Sequence, residues 1–223
     1  MKNKNPLFLV STFIILLIHV SGSIAMEEYG KFLNYNLGNI LITLFLILIN
    51  YPAEKRKLLS FMILIGILGF FVEWLGVNFG IIFGDYYYTG RFGLMVFGVP
   101  VGIGLFWANL IICFTVIINL IVYKIIPRKF YTLHLNIYFI IPLLVACFIT
   151  CYDYYFIEPI AKKLSWWTWL GDAYDAPIKN YTSWFLVGFV FSIIFQLFNL
   201  PKLMLFAWSV LIAQIAFFLI IMM

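Results

Sequence analysis

Seven apolar runs, at about residues 7–25, 36–51, 58–80, 95–123, 133–152, 181–198 and 203–223, take up most of this chain, and only short polar links separate them. A transmembrane helix needs about 20 apolar residues, and hydrocarbon offers no water to satisfy a backbone that is not hydrogen-bonded within itself. The fold class that follows is all-α: a polytopic membrane bundle of about seven transmembrane helices, forming one integral membrane domain over residues 1–223. Composition agrees. The chain is 65% hydrophobic and 10% charged, with a mean hydropathy of +1.07, whereas a soluble domain carries about 25% charged residues.

Charge sets the expected orientation. Lys2, Lys4, Lys55, Arg56, Lys57, Lys124, Arg128, Lys129 and Lys202 fall on one side of the seven-span pattern, which the positive-inside rule makes cytoplasmic together with the N-terminus. The basic residues therefore report orientation and do not point to nucleic acid. The first run ends in Ser23-Ile24-Ala25, a sequence that signal peptidase accepts. Its length of nearly 20 residues, and the consistency of the charge pattern when it is kept, favour a retained span over a cleaved segment 1–25. The expected location is a multi-pass protein of the cell (inner) membrane.

Within the third run, Gly66, Gly69, Glu73, Gly76 and Gly80 recur at spacings of 3, 4, 3 and 4, which is one seam of a helix. Neighbouring helices can approach closely along such a seam. A carboxylate in hydrocarbon costs at least roughly 2.5 kcal/mol, so Glu73 is expected to face the protein interior and is a functional candidate. The fourth run is too long for one crossing and is interrupted by Gly98, Pro100, Gly102 and Gly104. Residues before Pro100 are expected to form a broken or interfacial segment. In the sixth run, Trp184, Gly188, Ser192 and Gln196 form a second small and polar stripe that is expected to face inward.

The topology gathers acids on the side opposite the basic loops: apart from Glu54 and Glu73, all lie there. Asp153 is read as the start of the longest loop, which also holds Glu158, Asp172, Asp175, Trp166, Trp167 and Trp169. The plain reading of those aromatics is an interfacial belt, with part of the loop as an amphipathic helix on the membrane. Glu73, near the end of its span, approaches the same layer as Asp85, Asp153 and Glu158. Burial raises the pKa of a carboxyl, so such a cluster can hold a proton donor beside an ionised base, while tyrosine and tryptophan faces stabilise a passing cation. Acids, aromatic faces and an apolar slot suit protonation of an alkene.

Other chemistry is poorly provided for. Two histidines, His19 and His134, fall short of a histidine-rich iron site, and no GxGxxG, P-loop or nucleophile motif is present. No metal site and no cofactor are expected. Cys113, Cys147 and Cys151 all lie in apolar segments and read as buried free thiols. His19 reads as a hydrogen-bonded bundle residue.

The ordered set Glu73-Trp74-Leu75-Gly76, Gly80, Phe83-Gly84-Asp85-Tyr86, Tyr88, Gly98-Val99-Pro100 and Trp107, then Asp153, Glu158-Pro159, Trp167, Trp169, Tyr174, Pro177, Asn180 and Trp184, resembles the membrane-bound carotenoid biosynthesis proteins. That family includes carotenoid 1,2-hydratase and bisanhydrobacterioruberin hydratase. The resemblance covers about residues 66–190. It departs from the pattern at Glu158, where an Asp is usual, at Asp175-Ala176-Pro177, and at Ser183, where glycine often precedes the tryptophan.

What the resemblance implies is hydration of the terminal C1–C2 double bond of an acyclic carotenoid end group, giving a tertiary alcohol without a cofactor. The implied proton donor is Glu73 or Asp85, with Asp153 and Glu158 holding and activating water. Tyr86, Tyr88 and Trp107 would line the cation site, and Asn180, Trp184, Gly76 and Gly80 would contact substrate. The implied partners are water, membrane lipid and an acyclic or monocyclic polyene of C40 or longer lying in the bilayer; the sequence carries no sign of oligomeric state. One rival is a lycopene-cyclase-like enzyme, in which an internal double bond captures the same cation. Another is a non-catalytic carotenoid- or lipid-binding protein, whose Glu73 would pack between helices without touching a cavity.

Overall fold

A computed structural model of the chain describes residues 6–29, 35–125, 134–171, 175–200 and 204–223. Each apolar run folds as a helix: α1 (Pro6–Tyr29), α2 (Tyr35–Asn50), α3 (Lys55–Phe79), α4 (Val101–Ile125), α5 (His134–Tyr152), α7 (Ile178–Leu197) and α8 (Phe206–Met222), with a short α6 (Glu158–Leu164) between α5 and α7. Among the described residues, five helical segments are long and apolar enough to cross a membrane: Pro6–Met26, Lys55–Phe79, Val101–Ile125, Tyr138–Leu164 and Ile178–Leu197. The α2 and α8 helices, of 16 and 17 residues, are shorter but equally apolar.

The bundle is built around α4, which packs against α2, α3, α5, α7 and α8 and is buried almost throughout. Its lack of any charged residue before Lys124 permits that position. The glycine seam of α3 is what brings α4 close. A Cβ at Gly69 would stand 3.1 Å from the Gly104 Cα and from the Trp107 Cβ, so the two helices nearly touch along their backbones. The α7 stripe also faces inward as expected: Trp184, Gly188, Ser192 and Gln196 are buried, and Ser192 Oγ lies 3.3 Å from Thr115 Oγ1 of α4.

Among the described residues, four short strands cap one end of the bundle. β1 (Tyr86–Tyr88) pairs antiparallel with β4 (Trp167–Trp169), and β2 (Met95–Val96) pairs with β3 (Val99–Pro100). The interruption expected before Pro100 is thus a tight hairpin lying beside α3, where Asn78 Nδ2 donates to Phe97 O at 3.2 Å. The Phe97 side chain stays exposed at its tip.

Three expectations are corrected. Asp153 does not begin a loop, because the helix continues through a π turn (Asp153–Ile157) into α6. Pro159 fits the widening: it has no N–H to donate in either ladder, and the wider turn draws the carbonyl of the preceding turn away from its ring. The tryptophans of the second polar segment are not a plain interfacial belt, since Trp167 and Trp169 are strand residues that point into the protein. Finally, Cys113 is buried, but Cys147 and Cys151 lie on the outward face of α5.

Candidate active site

Glu73 is buried in the interior and accepts three hydrogen bonds from neutral donors. Tyr86 Oη and Tyr88 Oη donate to Oε2 at 2.7 and 2.9 Å, and Trp107 Nε1 donates to Oε1 at 3.0 Å. Each donor is aimed by the local backbone. In a strand, residues two apart share a face, so Tyr86 and Tyr88 both point inward while Tyr87 points out. Trp107 stands on α4 directly across from the glycine seam. Gly76, one turn beyond Glu73, leaves room for the Tyr86 hydroxyl, which would lie 3.0 Å from a Cβ added there. Burial pushes the phenols of Tyr86 and Tyr88 well above their ordinary value of 10.0, so both remain donors.

A second acidic centre faces this one. Asn180 Nδ2 donates to Asp153 Oδ2 at 2.8 Å and to Glu158 Oε1 at 3.3 Å, and Trp169 Nε1 donates to Glu158 Oε2 at 3.0 Å. On an α-helix, residues five apart diverge by about 140°. The π turn closes i→i+5 and so brings Asp153 and Glu158 to one face, where a single amide reaches both. Asp153 Oδ1 is buried and makes no hydrogen bond among the described residues.

Between the two centres lies an aromatic-walled cavity of about 20 Å³, lined by Glu73, Glu158 and Asn180 together with Tyr86, Tyr88, Trp167, Trp169, Trp184 and other apolar side chains. That space is close to what one water requires. The rings are tightly nested: Trp107 and Trp184 have centroids 4.3 Å apart, and Tyr86 and Trp169 5.0 Å. On its other side Glu158, with Trp167 and Trp169, borders a much larger open groove of about 630 Å³, which also holds Lys162 paired with Asp175. Glu158 therefore stands in a wall between a small aromatic cavity and an open polar groove.

The remaining sequence candidates are distributed unevenly. Asp85 is exposed, with its carboxylate lying over Gly80 at the end of α3, and it lines neither space. Gly80 ends α3 in the left-handed conformation (φ 61°), a backbone role that suits glycine. Gly76 and Trp107 support Glu73 from behind the cavity wall. Asp153 reaches the cavity only through Asn180. Tyr174 lies outside the described residues, as does Asp172. Sequence reasoning did not foresee Ser183 as a contributor, yet its Oγ accepts the Phe83 N–H at 3.2 Å and so ties the turn before β1 to α7. The alternation Tyr-x-Tyr and Trp-x-Trp, with period 2, was the signal for the β1/β4 pair.

Comparison with known proteins bears on the whole assembly of site elements. No curated protein and no solved structure matches the chain. A family model described as carotenoid biosynthesis protein matches residues 34–223, a span that includes both acidic centres and every helix but α1, and the chain belongs to that family.

Proposed function

We propose that the protein is a carotenoid hydratase that adds water to the terminal C1–C2 double bond of an acyclic end group by acid catalysis. One observation carries this reading: two carboxyls, Glu73 and Glu158, line the same aromatic cavity, and only Glu158 also borders the open groove. Glu73 gives its proton to C2 of the end group. The C1–C2 π electrons form the new C–H bond, leaving a tertiary cation at C1. Tyr86, Tyr88 and Trp107 are already aimed at the carboxylate that proton loss creates, so they lower the cost of the transfer without reorganising. The faces of Trp184, Trp169 and the tyrosines stabilise the cation.

Water reaching the wall from the groove attacks C1, and Glu158 takes the proton it sheds. Asn180 and Asp153 position Glu158 for that step. Transfer of a proton from Glu158 back to Glu73 across the water-sized cavity closes the cycle. The sum is addition of one water, with no redox change. The cavity in its described form is too small for an end group, so binding requires the aromatic walls to part. A polyene of this length stays in the bilayer, and it reaches the site laterally from lipid.

The test is expression in cells that accumulate lycopene or a monocyclic carotene, with the pigments analysed by mass. A gain of one water is expected. An unchanged pigment overturns the proposal, and a new ring at unchanged mass assigns the protein to the cyclases instead.

A further inference from the structure

A second cavity, of about 50 Å³, lies between α1, α2, α4 and α8 and takes no part in the reaction above. Its polar lining is Asn36, Asn39, Thr43, Asn109, Gln214 and His19. None of these carries a fixed charge. His19 Nδ1 lies 2.8 Å from the Ile15 carbonyl, which can only accept, so the ring proton sits on Nδ1 and Nε2 accepts from Asn39 Nδ2 at 3.3 Å. The histidine is thereby held neutral and fully engaged.

Two donors in the lining are left over. Asn109 receives the Cys113 thiol on Oδ1, and Gln214 receives the Tyr152 hydroxyl on Oε1 at 3.2 Å. Among the described residues, neither Asn109 Nδ2 nor Gln214 Nε2 donates to a protein acceptor, and both residues line the cavity. Amide N–H groups that reach a cavity with no protein acceptor are free to bond what enters it, and a pair of them at one cavity forms a site for a neutral oxygen. With no cation present, a carboxylate or phosphate has no counter-charge there, whereas an alcohol does not need one.

The position of this cavity indicates where such an alcohol comes from. Phe92, Phe106 and Trp166 line both the second cavity and the first, so three aromatic side chains form the partition between them. The backbone of Phe92 is held by Asn36 Nδ2, which donates to its carbonyl at 3.0 Å, leaving ring rotation as the available movement. We infer that the second cavity is a product subsite, in which Asn109 and Gln214 bind the tertiary hydroxyl of the hydrated end group after it passes the Phe92, Phe106 and Trp166 partition. The origin of the hydroxyl rests on the proposed hydration; the preference for a hydroxyl does not.

The test is a competition that involves no turnover. Two long polyenes whose terminal C1–C2 bond is saturated, one with a C1 hydroxyl and one without, are mixed in equal amounts in lipid containing the protein, and the pigment retained on the purified protein is analysed. Wild type should enrich the hydroxylated polyene about fivefold to tenfold over the lipid ratio, the effect of one or two neutral hydrogen bonds. Asn109→Leu and Gln214→Met should each bring the ratio back toward that of the lipid. Equal retention by wild type overturns the subsite whether or not either variant folds, and so does enrichment that survives in both variants. Enrichment by a protein that fails to hydrate lycopene would keep the subsite and remove the proposed reaction.

Discussion

Replacing Gly104 with alanine should separate α3 from α4 and disconnect Trp107 from Glu73. A Cβ at position 104 would stand 2.7 Å from the Phe70 backbone nitrogen and nearer still to the Gly66 carbonyl oxygen. Neither atom can rotate aside, because both belong to the α3 backbone. Ordinary contact begins at 3.4 Å, so clearing the nitrogen alone takes about 0.7 Å, and the nearer carbonyl oxygen requires more. Trp107 lies three residues further along the same face of α4, and its Nε1 is 3.0 Å from Glu73 Oε1. Even the smaller displacement takes that pair to about 3.7 Å, beyond hydrogen-bonding distance. Overpacking of this kind costs about 1–3 kcal/mol. Loss of a hydrogen bond to a carboxylate costs about 1.5–3 kcal/mol more, which corresponds to roughly 10–100-fold in rate if the bond is made in the transition state. The assay is thermal melting in detergent beside conversion of an acyclic carotenoid to its hydrated product. Gly38→Ala on α2 is the control, since a Cβ there meets nothing within 4 Å. Melting and conversion indistinguishable from the control would refute the claim that the glycine seam holds Glu73 in place.

Other expectations follow from the same geometry. Glu73→Gln should lower conversion by about 100-fold to 10,000-fold, the usual range for loss of an acid, while the protein still accumulates in the membrane; retained turnover would remove Glu73 from the mechanism. Asp85→Asn should leave conversion within about twofold, because that exposed carboxylate lines neither cavity nor groove; a large loss would restore it as a candidate donor. Tyr86 and Tyr88 bind their protons more tightly when folded than unfolded, so the stability they contribute is present in full below about pH 10 and declines as pH rises above it. Tyr88→Phe should therefore flatten the alkaline side of a melting-temperature profile, and an unchanged slope would contradict the burial argument.

Much of the bundle could be read from the sequence because membrane helices are specified locally. Twenty apolar residues, a glycine seam and a small-polar stripe each state their own structure and the face they bury, and Glu73, Trp184, Gly188 and Ser192 all lie inward as their spacing requires. The capping strands were harder to foresee. Tyr86–Tyr88 and Trp167–Trp169 are three residues each, and their pairing joins segments some 80 positions apart, so it depends on the arrangement of three helices and not on any local propensity. Asp85 shows the same limit in reverse. It sits one residue before Tyr86 in the sequence, and the period-2 alternation of β1 alone sends it to solvent while its neighbour reaches Glu73.

The acidic pair on the far wall depends on a feature that sequence spacing actively disguises. Asp153 and Glu158 are five apart, a separation that on an ordinary helix would point one carboxyl away from the other, and their loop-like surroundings of tyrosines and a proline suggested no helix at all. Pro159 reverses both conclusions, because it is accommodated one turn after the ladder widens and the widened turn is what aligns the two acids on Asn180. Pro159→Ala should then let the turn relax toward α-helical spacing, carrying Glu158 off Asn180 and Trp169 even though no side chain of the site has changed. Stability should hold or improve, since alanine restores a backbone donor to the helix, while conversion falls. A variant that is both at least as stable and fully active would mean that the alignment of Asp153 with Glu158 does not depend on the proline.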